Sequence, residues 1–505
     1  MESRLGILVM AAGKGTRMRS ELPKVLHPIL DVPMLGHLLR SVLGCGAGEV
    51  AVLVGAGGER VEEYLRDFPG VRVLWQREQL GTGHAVKVAR DWWRNFDTLL
   101  VLNGDLPLLR PETLRDLLDK CVREPAACTL LSFEARNPDG YGRVVRSTSG
   151  IRVVEHKDAS EAERGVREVN AGCYVFDVVS LARVIDRVGN HNVQGEYYLP
   201  DVVSLMQEEG MPVRAVSMPA EEMRGVNTQA ELAGVAAALR DRIAMGWMER
   251  GVMMLDPSSV WIGPDVELSP DVRIAPNVQM WGRTRVGRGS SIGPGCILTD
   301  ALLGCDVVLT ANVIVEASEL CDGAKAGPFA YIREGSCLKE CSFAGKFVEL
   351  KRTTVGRNSK VPHLTYLGDA HLGKHVNIGA GTITCNYDGR NKHPTTIGDR
   401  CFVGSDTMFV APAEMGDDAS TAAGSVITNP IPDGALGVGR ARQHNVEGFA
   451  VLDALAELVG LCSQFLIGHR CEAVLERVHR LSVRFELSQN PLIAGSEDFL
   501  QERCH

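Results

Sequence analysis

A glycine-rich turn near the amino terminus is the first candidate for binding chemistry. The apolar run Leu5–Ala12 ends in a turn at residues 13–17 (GKGTR), and Lys24 follows a short way on. A strand that ends in glycines presents backbone N–H groups to phosphate oxygens, and Arg17 and Lys24 add positive charge. The turn lacks the spacing of a Walker A motif, and Met18 stands where G-x-G-x-x-G needs its last glycine. A nucleoside triphosphate site and an ordinary β–α turn both remain open.

Polar residues at two later strand ends offer partners for a nucleotide and a metal ion. Gln76 closes one predicted strand, and Gly81 and Thr82 open the helix that follows. Backbone amides and a glutamine suit a flat uracil, although capping alone also explains a glycine and a threonine at a helix start. Asp105 comes after the buried strand Thr98–Asn103. There a carboxylate can bind Mg²⁺ together with phosphate oxygens, or it can cap the next turn.

Four more polar residues lie beside apolar runs in the first half of the chain. They are Gly140 in GYGR, Glu155 in EHKDA, Asn170 in VNAG and Asn227 in GVNT. With the glycine-rich turn they could gather at one crevice. Taken one by one, however, residues of this kind are usually structural, so the pattern alone assigns them no role.

The elements that must position these residues alternate over the first 230 residues. Predicted strands are Leu5–Ala12, Glu49–Gly55, Val71–Gln76, Thr98–Asn103 and Thr129–Glu134, and helical patterns lie around Leu35–Leu43 and Leu114–Val122. This alternation predicts an α/β domain with a mostly parallel, Rossmann-like sheet covered by helices. Ligands of such a sheet bind at the C-terminal ends of its strands.

From about residue 255 the sequence changes to a six-residue period. Val260, Val266, Val272 and Val278 are six apart, and glycine follows the aliphatic residue in many later hexads. This period predicts a left-handed parallel β-helix of hexapeptide repeats, in which each aliphatic side chain stacks on its counterpart in the next coil. Such a solenoid exposes flat faces, and trimerisation would cover one of them.

The hexads lapse around residues 320 to 395, where four histidines fall close together. They are His363, His371, His375 and His393. Three histidines can hold a catalytic zinc in trimers of this fold, as in some carbonic anhydrases, but nothing else in the sequence supports a hydratase. His363 is better interpreted as a base for an attacking amine, because imidazole titrates near neutral pH. A hydrogen-bonded structural histidine is the alternative.

These patterns divide the chain into four parts. Residues 1–228 form the α/β domain, 229–250 a connecting helix, 251–445 the β-helix and 446–505 a helical extension. In the extension, apolar residues recur three and four apart from Leu452 to Leu466. Such helices pack on the rest of the protein or bind a partner, and the sequence does not say which.

Composition limits the class of protein. The chain has 505 residues, 45% of them hydrophobic and 23% charged, and its net charge of −9 argues against a nucleic-acid binder. Its 14 cysteines include no C-x-x-C pair, which indicates reduced thiols in the cytoplasm. The first apolar run is too short for a signal peptide, and Asp453 and Glu457 interrupt the apolar residues 451–468, so no membrane span is expected.

The motifs of the first half resemble those of the sugar-1-phosphate nucleotidyltransferases. MAAGKGTR, LPK, QLGTGHA, NGD, GYGR, EHKDA, VN and GVN occur in family order. They are most similar to the uridylyltransferase half of the bacterial bifunctional N-acetylglucosamine-1-phosphate uridylyltransferase/glucosamine-1-phosphate N-acetyltransferases. The resemblance implies Mg²⁺ on Asp105 and Asn227, and catalytic charge neutralisation by Arg17 and Lys24. The implied nucleotide and sugar contacts are Met10, Ala11, Ala12, Gly13, Lys24, Gln76, Gly81, Thr82, Asn103, Gly104, Asp105, Gly140, Glu155, Asn170 and Asn227.

The second half resembles the acetyltransferase half of the same family through HLTYLGDA and VNIGAGTITCNYDG. The resemblance makes His363 the catalytic base and implies a homotrimer with acetyl-CoA bound between subunits. The implied sugar-phosphate and amino-sugar contacts are Arg333, Lys351, Tyr366, Asn377 and Asn386. The implied acetyl-CoA contacts are Ala380, Asn386, Tyr387, Ser405, Ala423 and Arg440.

The expected function is therefore a two-step synthesis of UDP-N-acetylglucosamine. Glucosamine-1-phosphate is acetylated with acetyl-CoA, and UMP is then transferred from UTP with release of pyrophosphate. The alternative is a nucleotidyltransferase for another sugar whose β-helix serves only oligomerisation. Three residues depart from the family pattern: Asn103 replaces the usual Tyr, Ala171 the usual Thr, and Pro362 the usual Asn or Gly.

Overall fold

The computed structural model describes residues 4–445 and 449–450, apart from residues 14, 47, 56 and 149. Contacts divide the chain into two compact units, Met1–Gly439 and Arg440–His505. The first unit holds both the α/β domain and the β-helix. The predicted helical extension, residues 446–505, lies almost wholly outside the described residues. In the described part of the chain, no helix has the length and apolar character that crossing a membrane requires.

The first half of the chain contains the predicted alternation of strands and helices. Its strands are β1 (Leu5–Ala11), β2 (Pro28–Ile29), β3 (Val32–Pro33), β4 (Glu49–Val54), β5 (Val71–Trp75), β6 (Thr98–Asn103), β7 (Cys128–Glu134), β8 (Arg143–Ser147), β9 (Gly150–Val154), β10 (Glu168–Asp177) and β11 (Val213–Ser217). Its helices are α1 (Met34–Gly44), α2 (Glu59–Leu65), α3 (Thr82–Val88), α4 (Arg90–Trp93), α5 (Pro111–Arg123), α6 (Glu161–Arg164), α7 (Val178–Val184), α8 (Asp201–Glu208) and α9 (Gln229–Glu249). All five predicted strands and both predicted helices are confirmed, with ends that differ by at most one residue except at the start of α5, which begins three residues earlier than predicted.

The main sheet is mostly parallel, as predicted, with the order β11-β7-β10-β6-β1-β4-β5. Strands β6, β1, β4 and β5 run parallel, whereas β10 is antiparallel to both β6 and β7. The register pairs Met10 with Asn103, so β1 and β6 end side by side. The glycine-rich turn and the Asn103-Gly104-Asp105 segment therefore leave the sheet at the same edge, which is where a parallel sheet binds ligands.

The connecting helix α9 joins the two domains by packing against both. Its N-cap residue Thr228 forms a capping box with Glu231, which satisfies the free amides of the first turn. Leu239 lies in a buried cluster that Trp261 and Trp281 of the first coils also contact. Ala244, one turn later, belongs to the core of the β-helix itself.

The second half is a parallel β-helix built from two sheets. The 19-stranded sheet contains Met253–Met254, Trp261–Ile262, Arg273–Ile274, Gln279–Trp281, Ser291–Ile292, Ile297–Thr299, Val308–Leu309, Ile314–Glu316, Lys325–Ala326, Tyr331–Ile332, Phe343–Lys351, Lys360–Gly368, Asn377–Ile378, Ile383–Cys385, Phe402–Val403, Met408–Val410, Ser420–Thr421, Val426–Ile427 and Leu436–Gly437. The nine-stranded sheet contains Glu267–Leu268, Arg285–Val286, Leu302–Leu303, Glu319–Leu320, Cys337–Leu338, Thr354–Val355, Ala370–Leu372, Thr395–Ile397 and Ala413–Met415.

The register explains the six-residue period. Ile262 pairs with Met280, and Met280 pairs with Leu298, so one coil takes three hexads. All three side chains are at most 1% exposed, because they stack in the interior of the solenoid. Two strands, Phe343–Lys351 and Lys360–Gly368, are much longer than the others. They fall where the hexads lapse, and they carry part of the second candidate site.

Candidate active sites

Two cations and two oxygen ligands meet at the end of the glycine-rich turn. Nη2 of Arg17 donates a hydrogen bond of 2.8 Å to Oδ1 of Asn227, and Nζ of Lys24 donates one of 3.3 Å to the same oxygen. Lys24 also forms a salt bridge with Asp105, in which the two side chains are only 16% and 14% exposed. The structure thus brings together four residues that the sequence assigned to charge neutralisation and metal binding.

Local backbone structure holds this cluster in place. Asp105 lies two residues beyond the end of β6. Asn227 directly precedes the N-cap residue of α9, and its backbone N–H donates a 2.6 Å hydrogen bond to the Glu231 carboxylate. Gly15 has a φ of 60°, and a Cβ there would lie 2.8 Å from Cβ of Lys24. A larger residue at this position would strain the backbone by about 1–2 kcal/mol and would displace the lysine.

Asp105 and Asn227 together fit a magnesium ion. A carboxylate and an amide oxygen are hard ligands of the kind that Mg²⁺ takes, and here both contact the ammonium group of Lys24. The two oxygens therefore already converge on one cation. Among the described residues, the Asp105 carboxylate contacts the Lys24 ammonium group, and no hydrogen bond from an amide of the next turn to this carboxylate is seen.

A cavity of about 220 Å³ opens beside this cluster. The predicted site residues that line it are Met10, Arg17, Thr82, Asn103, Asp105, Gly140, Glu155, Asn170 and Asn227. Leu199, Pro200 and Met223 also line the cavity, and no motif in the sequence pointed to them. Apolar residues in loops look the same in a sequence whether they face a ligand or the core.

Two polar side chains stand deep in the predicted sugar end of the cavity. Burial, reinforced by three neighbouring carboxylates, raises the pKa of Glu155. The charged form of this carboxyl is therefore disfavoured, and hydrogen bonds from sugar hydroxyls would compensate for that cost. Asn170 donates a 2.6 Å hydrogen bond to the Tyr174 hydroxyl and accepts one of 3.1 Å from the amide of Gly172. These bonds fix the orientation of the Asn170 amide.

The two departures from the family pattern in this half touch each other. Nδ2 of Asn103 donates a 3.4 Å hydrogen bond to the carbonyl oxygen of Ala171, and both residues line the cavity. Gly172 has a φ of 70°, and a Cβ there would collide with the same Nδ2 atom. Asn103 therefore packs directly against the backbone of the loop that follows Asn170.

Gln76 directly follows β5 and Gly81 is the N-cap residue of α3, close to the predicted positions, but the Gln76 side-chain amide is already engaged. The side chain is 3% exposed, and Nε2 donates to the carbonyl of Gly81 at 3.2 Å and contacts Nδ1 of His84 at 3.0 Å. Gly81 is itself the N-cap residue of α3, with a φ of 110° that favours glycine, and no side chain caps this helix. The Thr82 hydroxyl instead accepts a 3.1 Å hydrogen bond from the amide of Leu199.

Gln79 is a residue of this site that the sequence analysis missed. Its Nε2 atom donates to the carbonyl oxygen of Ala12, directly after β1, while its buried Oε1 atom has no recorded partner among the described residues. Gln79 thus ties the QLGTGHA segment to the glycine-rich turn. The signal was present, since Gln79 is the first residue of that motif. Of the predicted contacts beside it, Ala11 ends β1 and Ala12 and Gly13 follow that strand, while the backbone amide of Gly104 donates to the Met10 carbonyl at 2.9 Å.

The second candidate site begins with two cations on successive coils. Nη1 of Arg333 lies 2.7 Å from Oε1 of Glu349, and Nζ of Lys351 lies 3.0 Å from Oε1 of Glu334. The amide of Arg333 donates to the carbonyl of Leu350, which places the two cations side by side. The sequence analysis predicted the cations and missed the carboxylates that orient them.

Tyr366 and Asn386 converge over a glycine on the next coil. A Cβ at Gly368 would collide with the Tyr366 hydroxyl oxygen and with Nδ2 of Asn386. Asn386 is 6% exposed and donates its amide to Asp369. Arg352 holds the same carboxylate through bonds of 2.6 and 2.9 Å. The predicted amino-sugar contacts Tyr366 and Asn386 are therefore adjacent and braced.

His363 lies on the strand Lys360–Gly368, in register with Lys346, and its side chain is exposed. No hydrogen bond of its imidazole is recorded among the described residues, so the structural alternative has no support there. His393 instead pairs with Asp388, with Nε2 2.7 Å from the carboxylate. In the described part of the chain, no cluster of three metal-ligating side chains includes a histidine.

Three of the predicted acetyl-CoA contacts form a column along the solenoid. The Asp406 amide donates to the carbonyl of Ala380, and the Gly424 amide donates to the carbonyl of Ser405, both at 2.7 Å. Ala380, Ser405 and Ala423 thus follow one another on successive coils. Tyr387 is 60% exposed, and Arg440 is exposed and begins the second compact unit.

Asn377 is not brought to Tyr366 within one chain. Asn377 pairs with Lys360 at the start of the strand Lys360–Gly368, whereas Tyr366 lies near its end and pairs with Ile383. The groups predicted to hold the amino sugar are therefore divided between two ends of one strand.

Comparisons with known proteins cover most of the chain. The family model of the MobA-like NTP transferase domain matches residues 7–174. The bifunctional protein GlmU of one strain of Thermus thermophilus is 47% identical over 446 residues, which is 88% of this chain and 98% of the relative. The GlmU of Heliobacterium modesticaldum is 44% identical over 88% of this chain and 97% of its own. The GlmU of a type A strain of Clostridium perfringens is 42% identical over the same shares.

Proposed function

The chain belongs to the family of the bifunctional GlmU proteins, and we propose that it makes UDP-N-acetylglucosamine in two steps. The β-helix acetylates glucosamine-1-phosphate with acetyl-CoA, and the α/β domain then transfers UMP from UTP to the product. The observation that carries the proposal is the presence of two separately built sites in a chain that matches its relatives over 97–98% of their length. The single-activity alternative is not favoured, because the relatives match both halves.

In the uridylyl transfer, an oxygen of the sugar phosphate attacks the α-phosphorus of UTP in line, and pyrophosphate leaves. Such transfers depend on positioning and on neutralisation of charge rather than on a covalent nucleophile. Mg²⁺ held by Asp105 and Asn227 supplies part of that neutralisation when bound. Lys24 is placed to exchange the Asp105 carboxylate for a phosphate oxygen, and Arg17 lies beside it. Glu155 and Asn170 orient the sugar from the other end of the cavity.

In the acetyl transfer, the amine of glucosamine-1-phosphate attacks the thioester carbon of acetyl-CoA. A C–N bond forms, the C–S bond breaks, and coenzyme A leaves as a thiolate that then takes up a proton. His363 accepts the proton that the amine loses, while Arg333 and Lys351 bind the sugar phosphate. The column of small residues Ala380, Ser405 and Ala423 gives acetyl-CoA a surface along the coils. An enzyme nucleophile is not needed for direct attack.

Two assays on the purified protein test this function. Glucosamine-1-phosphate and acetyl-CoA should release free thiol, and N-acetylglucosamine-1-phosphate and UTP should release pyrophosphate only when Mg²⁺ is present. Glucose-1-phosphate, which lacks the amine, is the control for the first assay. Pyrophosphate release without any thiol release would restrict the protein to one activity.

We further propose that the protein acts in the cytoplasm. We also propose that its domain boundaries lie after residues 228, 250 and 445, as the sequence predicts.

We propose that the protein is a homotrimer. Phe329 and Phe347 on successive coils stack with ring centroids 5.3 Å apart, yet they remain 50% and 58% exposed. Leu364 extends the same edge and is 62% exposed, directly beside His363. An exposed apolar edge next to a site is explained when a second copy covers it. Asn377 would then serve a neighbouring subunit, which accounts for its separation from Tyr366.

Phe347→Asp should dissociate the trimer and strongly reduce acetyl transfer. The new carboxylate would be buried without a partner in the contact, while the φ of 56° at this position remains acceptable for Asp. Sedimentation should give the parent protein three times the 54.7 kDa of one chain and the variant a smaller mass. Val122→Asp changes another exposed apolar residue, on α5, and should leave the mass unchanged. A variant that kept the parent mass would contradict this interface.

A further inference from the structure

Two cysteines and a glutamate from consecutive coils lie together on the outer face of the nine-stranded sheet. Glu319 is paired in register with Cys337, and Cys321 points to the same face as Glu319 because it lies two residues further on. The thiol of Cys321 is 3.7 Å from Oε1 of Glu319, and the thiol of Cys337 is 3.8 Å from Oε2. All three side chains offer ligand atoms within 4.8 Å of one another.

We propose that Glu319, Cys321 and Cys337 bind one zinc ion or a similar thiophilic divalent cation. Two thiolates and a carboxylate are zinc ligands, and a water molecule would complete a tetrahedron. With Zn–S near 2.3 Å and Zn–O near 2.0 Å, tetrahedral sulfur and oxygen ligands lie about 3.5 Å apart. The two sulfur–oxygen distances, which run to different oxygens of Glu319, exceed this by only a few tenths of an ångström. Both sulfurs and one carboxylate oxygen lie within 4.8 Å of one another, so rotation of the side chains would close the site.

Packing does not explain why cysteines stand at these positions. A cysteine without a role usually acts as a small buried hydrophobe, but here Leu320 and Leu338 fill the core and the thiols point outward. Cys321 also occupies a corner that is glycine on the preceding coil, where the Gly304 amide makes the same hydrogen bond to the next coil as the Cys321 amide does. The fold therefore needs no thiol at this corner.

The charge of the neighbourhood suits a divalent ion. Two thiolates and one carboxylate carry three negative charges, and the cation supplies two positive ones. The Lys339 side chain, which contacts the Cys337 thiol, supplies the third. The loaded cluster would be neutral. The thiols are partly accessible, so an ion can reach them from solvent.

Such an ion would link two consecutive coils, which carry the strands Glu319–Leu320 and Cys337–Leu338. These strands belong to the nine-stranded sheet, whereas the strands that carry Lys351, His363 and Tyr366 belong to the 19-stranded sheet. The ion is therefore distinct from the Mg²⁺ proposed for uridylyl transfer and from the groups of the acetyl-transfer site. We expect it to brace the solenoid without taking part in either reaction.

Cobalt titration of the full-length, reduced and chelator-treated protein tests the proposal. One Co²⁺ per chain should bind with a thiolate-to-cobalt absorption band, and one equivalent of Zn²⁺ should remove the band. Cys321→Ser and Cys337→Ser should each weaken binding by at least about tenfold, because a hydroxyl replaces a thiolate ligand. Cys305→Ser on the preceding coil and Cys341→Ser on the coil of Cys337 alter exposed cysteines that are not ligands, and they should leave the titration unchanged.

Three outcomes would overturn the site. One is the absence of a thiolate band in the parent protein, and another is a band that survives in both ligand variants, which would place the metal on other cysteines. The third is full reaction of Cys321 and Cys337 with a thiol reagent in the Co²⁺-treated protein, which would show that the metal does not cover these sulfurs. Circular dichroism should show that the serine variants keep the parent fold, because both side chains lie outside the core.

Discussion

Asp105→Asn should abolish uridylyl transfer and leave acetyl transfer intact. The substitution keeps the shape of the side chain but removes the only negative charge that the Asp105–Asn227 pair offers to a cation. It also removes the salt bridge that holds Lys24 at the cavity. Loss of one electrostatic contact to a developing charge typically costs about 10²–10³-fold in kcat, and here two such groups are disturbed. We therefore expect a decrease of roughly 10³-fold or more in pyrophosphate release.

The measurement is pyrophosphate release from UTP and N-acetylglucosamine-1-phosphate over a series of Mg²⁺ concentrations. Thiol release from acetyl-CoA on the same preparation is the internal control, because that site lies in the β-helix. Asp265→Asn is the matched variant, since Asp265 pairs with Arg40 on the surface between the domains and lines neither site. If pyrophosphate release by the Asp105→Asn variant kept the parent rate and Mg²⁺ dependence, Asp105 would have no part in the mechanism.

Local sequence features were sufficient to predict most of the fold. The strand β1 and the turn after it follow from an apolar run that ends in glycines, and the coils follow from aliphatic residues that recur every six positions. Both signals are local, because each strand and each hexad carries its own pattern. The antiparallel placement of β10 was not predictable in this way, because it depends on which strands neighbour it across the sheet.

The candidate sites were predictable as sets of residues and not as contacts. Lys24 and Asp105 each stand in a recognisable motif, but their salt bridge joins segments 81 residues apart. Glu334 and Glu349 escaped notice because a carboxylate on a coil has no pattern of its own. The contact between Asn103 and Ala171 shows the same limit, since two departures in separate motifs meet only in the folded chain. Contacts between residues that are far apart in the chain could therefore not be predicted from the sequence.

His363→Ala should reduce acetyl transfer by about two to four orders of magnitude, which is the usual loss when a general base is removed. The imidazole is exposed beside the apolar edge of Phe347 and Leu364. It makes no side-chain hydrogen bond to the described residues, so its removal should leave the coil intact. The residual rate reflects positioning by Arg333, Lys351 and Tyr366, which the substitution does not touch. KM for glucosamine-1-phosphate should therefore change little while kcat falls.

Thiol release from acetyl-CoA measures the effect of His363→Ala, and pyrophosphate release on the same sample should stay at the parent rate. His371→Ala is the matched control, because His371 is an exposed histidine on the nine-stranded sheet, away from the strand that carries His363. Added imidazole should restore part of the lost rate if a missing base is the defect, since a small base can occupy the vacated volume. A loss below about tenfold would assign proton removal to another group, and Asp369, held by Arg352 next to Asn386, would be the next candidate.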